Sequence, residues 1–295
     1  MTAPDKTSLL RSPWFDAWRR LKKNRAALGS LFFLLLLMAA ALLAPLLQGH
    51  GVANPDEQNL PLKLSAPCSA HLFGTDALGR DLFARILFGA RISLFIGLLA
   101  TLVTIFIGVT YGLVSGYQGG ALDNLMMRIV DILYTLPFIF LVILLLSLFE
   151  RSFLLLFIAL GAVQWLTMAR VVRGQVLSLK ERDYISAVRA LGGNTSRILF
   201  RHLLPNLLGI IVVYATLTVP VIILQEAFLA FLGLTVPGQE HSWGMLINEG
   251  IDAINPVRIS WWLIVFPGMF LTLTLLTLNF LGDGLRDAFD PRDKG

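Results

Sequence analysis

Six apolar stretches of roughly twenty residues or more, separated by polar segments, constrain this chain more than any other feature. They fall at about 27–47, 93–115, 127–148, 153–171, 207–234 and 260–281. A bilayer presents about 30 Å of hydrocarbon, which a helix of some 20 apolar residues crosses. Only 15% of the 295 residues are charged and 56% are hydrophobic, whereas a soluble domain carries about 25% charged residues. The expected fold is therefore all-α: a polytopic membrane protein of six transmembrane helices. The net charge of +5 belongs to loop topology rather than to a nucleic-acid partner, because no soluble module exists in which base-reading residues could gather.

Between the runs, local signals set the boundaries. A leader at 1–26 contains WFDAWRRLKKNR (14–25), where Trp14, Phe15, Trp18 and Leu21 share one side of a helix and most of the basic residues lie elsewhere. That pattern suits an interfacial helix lying among lipid headgroups. The transmembrane unit is expected over 27–295, with outer loops at 48–92 and 235–259. Pro55, Pro61 and Pro67 discourage helix in the first loop up to about Asp81. The glycines of GYQGG (116–120) mark a turn. Pro137 falls inside the third run and Pro220 inside the fifth, where it predicts a kink. Thr75 or Asp76 is the expected helix cap before the second span, and Asp131 is expected to snorkel or to pair with Arg128 at i,i+3. Trp243, Trp261 and Trp262 fit an aromatic belt at the outer interface.

Basic residues sort the polar segments into two faces. Lys6, Arg11, Arg19, Arg20, Lys22, Lys23 and Arg25 lie in the leader. Arg170, Arg173, Lys180, Arg182, Arg189, Arg197 and Arg201 lie in or beside the segment 172–206, and Arg286, Arg292 and Lys294 in the tail. Six spans put these three regions on one side, which the positive-inside bias makes cytoplasmic together with both termini. Cys68 is the single cysteine, so no intrachain disulfide forms.

The segment 172–206 is unusual for a connection. Residues 177–191 hold neither Gly nor Pro and are expected to form a helix stopped by Gly192 and Gly193. Asn194 or Thr195 then caps a second helix from Ser196 to about Leu204, which Pro205 closes or which it hands on to the next span. Such a hairpin with a greasy face and a cationic face reads either as a lipid-touching re-entry loop or as a docking element for a cytosolic protein.

Its pattern, Tyr184-x-x-Ala187-x-x-Ala190-Leu191-Gly192 followed by Arg201-His202-x-x-Pro205-Asn206, resembles the "EAA" loop of bacterial ABC importer permeases. Further motifs narrow the resemblance to the dipeptide/oligopeptide permease family and its "C" subunits. They are HLFGTDALGRD (71–81), FLAFLGL (228–234), SWG (242–244) and NFLGDGLRDAFDP (279–291). The chain departs from the pattern where Ser186 stands at the eponymous glutamate and Val188 at the third position. The resemblance implies a coupling helix docked on an ATPase subunit through Tyr184, Ala187, Ala190, Gly192, Arg197, Ile198, Leu199, Arg201, His202 and Pro205. Ile198, Leu199 and Leu203 would supply the buried contact, and Arg197 and Arg201 the charge complementarity. It also implies a homologous permease partner, two ATP-binding subunits, an extracytoplasmic substrate-binding protein and residence in a bacterial inner membrane. No cofactor is expected on this chain, whose sequence lacks a G-x-x-x-x-G-K-[ST] phosphate loop; ATP and Mg2+ would sit on the partners. Cargo of this family is di- or oligopeptide, with nickel or another small solute as the alternative.

Three other places carry polar groups. Glu226, beside Gln225 in the fifth run, is an intramembrane carboxylate that lines a translocation path, gates it, or pairs with a neighbouring helix. Gly74, Thr75, Asp76, Gly79, Arg80 and Asp81 form an outer-side cluster in which local capping and an Arg–Asp pair compete with a role in receiving cargo. The four histidines show no metal-ligand spacing, and no catalytic constellation such as G-x-S-x-G occurs. An ion-coupled secondary transporter would need coupling carboxylates near the midplane, for which Glu226 alone qualifies.

Overall fold

The computed structural model describes residues 13–49, 52–237, 241–255 and 259–289. Among them regular structure is helical apart from isolated bridges of Gln48 with Val52 and Thr75 with Asp81. A short helix α1 (Pro13–Leu21) precedes α2 (Arg25–Leu43), which Asn24 caps by accepting from the Ala27 N–H at 3.1 Å. α1 buries Ala17 and Leu21 against Ala27 and Ala288 and leaves Phe15 and Trp18 exposed. The rest of the leader, residues 1–12, and the side chain of Trp14 lie outside the described residues.

The second span is longer than its apolar run. α3 covers Leu82–Gln118, 37 residues, or about 55 Å at 1.5 Å per residue. The helix begins eleven residues before the apolar run expected as a span from 93, because Arg85 and Arg91 dilute the apolar signal there. Arg85 nevertheless enters the helix fully buried, its charge met by carboxylates. The cap is neither Thr75 nor Asp76 but Asp81, which accepts from the Ala84 N–H at 2.8 Å.

The third run is not one straight span. α4 (Gly120–Thr135) and α5 (Phe138–Leu148) meet at Leu136 and Pro137 with an 89° bend. Proline drives its predecessor out of the helical region, and Leu136 accordingly sits at φ −72°, ψ 131°. α6 (Phe153–Leu179) runs eight residues past the expected end and carries the basic residues Arg170 and Arg173 within it. α9 (Leu204–Phe231) contains Pro220, and α11 (Trp262–Phe289) absorbs part of the expected tail. Among the described residues five helices are long and apolar enough to cross a membrane, or six if the bent α4–α5 pair is one span. The loop expected at 235–259 contains α10 (Trp243–Asp252), capped by Ser242.

Two of the three belt tryptophans are not at a lipid interface. Trp243 is fully buried and donates its indole N–H to the Ile86 carbonyl at 3.1 Å. Trp262 is 4% exposed and donates to the Thr75 carbonyl at 3.2 Å. Only Trp261 of the three is exposed.

α3 and α6 form the tightest seam. Gly108, Gly112 and Gly116 recur at four-residue steps on α3, and a Cβ at each would fall 2.5–2.8 Å from the nearest α6 atom. Gly161 of α6 returns the fit against Ala100 and Val103, and its carbonyl accepts from the Thr104 hydroxyl at 3.2 Å. Small residues matter here because lipid is as apolar as a side chain, so helices associate by close packing rather than by hydrophobic expulsion from water.

Gly112→Val would drive a side chain into the Ala169 carbonyl, 2.5 Å from the position of its Cβ, at a cost of about 1–3 kcal/mol or more. The expected outcome is a lower unfolding midpoint for the purified protein. Gly29→Ala, whose Cβ meets nothing within 4 Å, should unfold at or above the parent midpoint. Equal midpoints for both variants would show that the seam is not tight.

Candidate functional site

The segment after α6 folds as short pieces rather than as one helix over 177–191. α6 stops at Leu179, a turn follows at 180–182, and α7 spans Asp183–Ala190. Gly192, at φ +77°, closes α7: its N–H donates to the Arg189 carbonyl at 3.0 Å, and that of Gly193 to the Val188 carbonyl at 2.9 Å. This is the paired-bond stop that glycine at the left-handed position permits. Asn194 then accepts from the Arg197 N–H at 2.8 Å and caps a single turn, α8 (Thr195–Arg197). A π-helical stretch, Ile198–Leu203, joins it to α9, with Pro205 in the first turn of the span. Pro205 thus opens the span, where its missing N–H leaves no bond unmade.

One correction changes how this segment presents itself. Ile198, Leu199 and Leu203 do not offer an apolar docking surface. They are 1%, 9% and 0% exposed and pack with Ile185 onto Leu113, Val172 and Val176 of the α3–α6 pair. The π-stretch rotates the apolar side chains inward. What faces outward is Tyr184, Ala187, Ala190, Gly192, Arg197, Arg201 and Pro205, with His202 half-buried. Leu191 at 88% and Phe200 at 61% are its most exposed apolar groups. A concavity of about 390 Å³ lies among Val188, Leu191, Gly193, Arg197, Arg201 and His202.

Polar contacts root the segment in the bundle. Arg189 places its guanidinium 5.8 Å from the centre of the Tyr117 ring, and Lys180 Nζ donates to the Gly116 carbonyl at 3.0 Å. Arg173 of α6 grips both oxygens of Asp123 on α4 through Nε and Nη2, each at 2.6 Å, and the Ser115 hydroxyl donates to the same carboxylate. Sequence reading missed this latch. Arg173 counted there only as a topology charge, and nothing in the order of residues joins it to Asp123.

At the opposite end, the cluster around 74–81 is a built ionic site. Gly74 and Gly79 take φ +77° and +76°, and a Cβ on Gly79 would fall 1.9 Å from the Asn59 carbonyl oxygen. The Thr75 hydroxyl accepts from the Ser65 N–H at 2.9 Å and donates to the Leu62 carbonyl, which fixes the loop. Asp76 Oδ1 accepts from the N–H groups of Leu78 and Arg80, while Oδ2 receives Arg80 Nε at 2.6 Å and Arg85 Nη1 at 2.7 Å. Arg85 also reaches Glu249 of α10 through Nη1 at 2.5 Å and Nη2 at 3.0 Å. Asp81, beyond capping α3, accepts from His71 at 2.8 Å. Glu249, absent from the residues singled out by sequence, lies 164 positions from Arg85 and is visible only in the fold. A cavity of about 320 Å³ opens beside Arg80, Arg85, Glu249 and Asp252.

Inside the bundle, neighbours in sequence part company. Glu226 is fully buried and accepts from the Ser93 hydroxyl at 3.4 Å; that oxygen in turn accepts from the Trp243 N–H at 3.3 Å. Gln225 turns toward α6 and accepts from Gln164 Nε2 at 2.9 Å. Asp131 pairs not with Arg128 but with Arg170 of α6, at 2.7 Å. The fold sets α4 against α6, and the ion pair forms between helices instead of along one. Among the described residues no group of three or more His, Cys, Asp or Glu is placed to hold a metal ion.

Comparison with known proteins agrees with this architecture. The family described as "Binding-protein-dependent transport system inner membrane component" matches residues 108–294. The "N-terminal TM domain of oligopeptide transport permease C" matches residues 12–67. The dipeptide transport system permease protein DppC of Bacillus subtilis (strain 168) is 48% identical over 279 residues, covering 94% of this chain and 85% of the relative. The oligopeptide transport system permease protein OppC of Escherichia coli (strain K12) is 49% identical over 286 residues, covering 96% and 93%. Among solved structures, one titled "Inward facing conformations of the MetNI methionine ABC transporter" aligns with a TM-score of 0.57 at 19% identity, over 70% of this chain and 97% of that one; at that identity it speaks to the fold.

Arg85→Ala would leave Arg80 alone to bridge Asp76, at 2.6 Å, and Glu249, at 3.1 Å. With Arg80 in place and Glu249 partly exposed, the cost should fall below the about 3–5 kcal/mol of breaking a fully buried pair from one side. Thermal unfolding of the purified protein should show that loss, and Arg85→Ala combined with Glu249→Ala should recover part of it. A double variant less stable than the single one would mean that the Arg80–Glu249 bond outweighs the repulsion left by the missing Arg85.

Proposed function

The chain belongs to the family of binding-protein-dependent transport system inner membrane components, and from that premise we propose that it is the permease subunit of an ATP-driven importer of di- and oligopeptides. The observation that carries this reading is the hairpin of α7 and α8. Ile185, Ile198 and Leu203 root it in the α3–α6 seam, while Tyr184, Leu191, Phe200, Arg197 and Arg201 stay exposed. A connection needed only to join two spans gains nothing from displaying aromatic and aliphatic groups beside arginines. A docking surface does, since apolar anchors supply burial and rim cations supply register and steering.

Energy would come from outside the chain. No phosphate-binding loop is present in the sequence, so nucleotide and Mg2+ belong to two ATP-binding subunits seated on the hairpin. Their closure would push α7 and α8, and the push would enter the bundle where these elements are buried. A second, homologous permease chain would complete the path, and a substrate-binding protein would deliver cargo at the face carrying Asp76, Arg80 and Glu249. The basic face, with both termini, is then cytoplasmic by the positive-inside bias. Peptide cargo is inferred from what the relatives DppC and OppC are named for transporting.

Two measurements test this. In vesicles holding the assembled importer, uptake of labelled trialanine should persist with a protonophore and stop without ATP; the reverse pattern would replace the ATP-driven reading with an ion-coupled one. Arg201→Glu and Gly192→Pro should insert normally yet abolish binding-protein-stimulated ATPase activity. Proline fixes φ near −65°, which the φ of +77° at Gly192 does not allow. Unchanged stimulation in both variants would remove the hairpin from coupling.

A further inference from the structure

Polar side chains on α4, α6 and α9 occupy a surface that lipid does not explain. Gln164, Thr167 and Arg170 follow at three-residue steps along α6, with Thr167 and Arg170 exposed. Gln164 lies eleven residues into α6, about 16 Å from its start, near the middle of a 30 Å hydrocarbon core. The Arg170–Asp131 pair has side chains 41% and 61% exposed, and Arg170 also lies 4.4 Å over the Tyr134 ring. Charges within spans face a bundle interior or a water-filled cavity, because hydrocarbon leaves them unsolvated.

Beside this pair lies a concavity of about 250 Å³, lined by Tyr134, Leu136, Val163, Gln164, Thr167 and Gln225. α4 ends on the same spot, at the 89° break before Pro137. A helix that ends inside a membrane leaves backbone carbonyls needing donors, and irregular backbone at that depth is tolerated where it lines a cavity. The Gln164–Gln225 bond at 2.9 Å uses one donor and one acceptor of the two carboxamides. An amide carries two N–H donors and a carbonyl with two lone pairs. Uncharged donors and acceptors therefore remain for a visitor.

We infer that this face is the wetted wall of the translocation path and that the Gln164–Gln225 pair reads the main chain of the passing substrate, a proposal that rests on the peptide-import reading. A carboxamide pair offers the complement of a peptide unit, one donor and one acceptor, with no charge. It binds any peptide equally through its backbone and is indifferent to side chains. Leu136 and Val163 supply apolar wall, and the Asp131–Arg170 pair keeps both its charges satisfied within the protein.

The experiment uses the assembled importer in proteoliposomes that enclose ATP, with the loaded binding protein outside and the exposed Cys68 first replaced by serine. Thr167→Cys should react with a charged methanethiosulfonate reagent, and trialanine should slow that reaction. Phe106→Cys, on the α3 surface at 76% exposure, should not react. Gln164→Leu and Gln225→Leu should each lower uptake about tenfold, the equivalent of one lost hydrogen bond. The deficit should be the same for trialanine and trilysine. An unreactive Thr167→Cys means that lipid or the partner permease covers this face, and it overturns the proposal. Uptake by both Leu variants within twofold of the parent, or a deficit for only one of the two peptides, overturns the main-chain role. If the parent importer itself takes up neither peptide, the cargo reading fails and the main-chain role with it. Reactivity at Thr167→Cys would in that case still mark the wetted wall.

Discussion

The close approach of α3 to α6 is the constraint on which the rest of the structure hangs. Three glycines on α3 and one on α6 bring the two backbones together where any side chain would collide. In lipid that fit replaces the hydrophobic force that would hold a soluble bundle. Everything at the basic end then builds on it. Ile185, Ile198 and Leu203 are buried because Leu113, Val172 and Val176 of the seam are there to cover them. Without the seam the hairpin would have no floor, and its cationic groups would have no fixed geometry to present.

α3 also joins the two ends of the molecule. At about 55 Å it is longer than the hydrocarbon core, so its first turns belong to the ionic cluster at one face and its last to the latch at the other. Arg85, three residues after its start, is held by Asp76 and Glu249. Ser115 and Gly116, near its end, bond to Asp123 and Lys180. A partner pushing on the hairpin therefore acts on an element whose far end is ionically tied to α10. In the proposed importer this would give the two faces a mechanical route through one helix, of the kind that rigid displacements in switching proteins use.

The all-helical, membrane-spanning fold was legible because apolar runs of that length have few other destinations. The helix stop at Gly192 and the cap at Asn194 were legible too, since both are local devices. What sequence could not place was anything decided by a distant partner. Arg85 looked like the edge of a loop, yet it is the buried centre of an ion cluster, because Glu249 stands 164 positions away. Asp131 was expected to snorkel or to pair along its own helix and found its partner on α6. The resemblance cast Ile198, Leu199 and Leu203 as docking residues. In the fold they lie on a π-stretch and turn to the core while Phe200 turns out.

The same latch that escaped the sequence gives the broken span a place in the mechanism. Asp123 sits in the first turn of α4, and Arg173 near the end of α6 holds it with both nitrogens. α4 is otherwise largely exposed, with Asp123 and Val130 its buried residues, so it is fixed mainly at its basic end and at the Asp131–Arg170 pair. Both attachments are to α6, the helix that leads directly into the hairpin, and α3 holds α4 as well, through the Ser115 hydroxyl on Asp123 and the Tyr111 hydroxyl on the Met126 carbonyl at 2.9 Å. A shift of the α3–α6 pair would carry α4 with it. The cavity beside Gln164 and Gln225 lies at that break, where α4 ends and α6 and α9 supply the opposing carboxamides. Movement at the hairpin would thus be converted, at the break between α4 and α5, into a change in the width of the polar cavity.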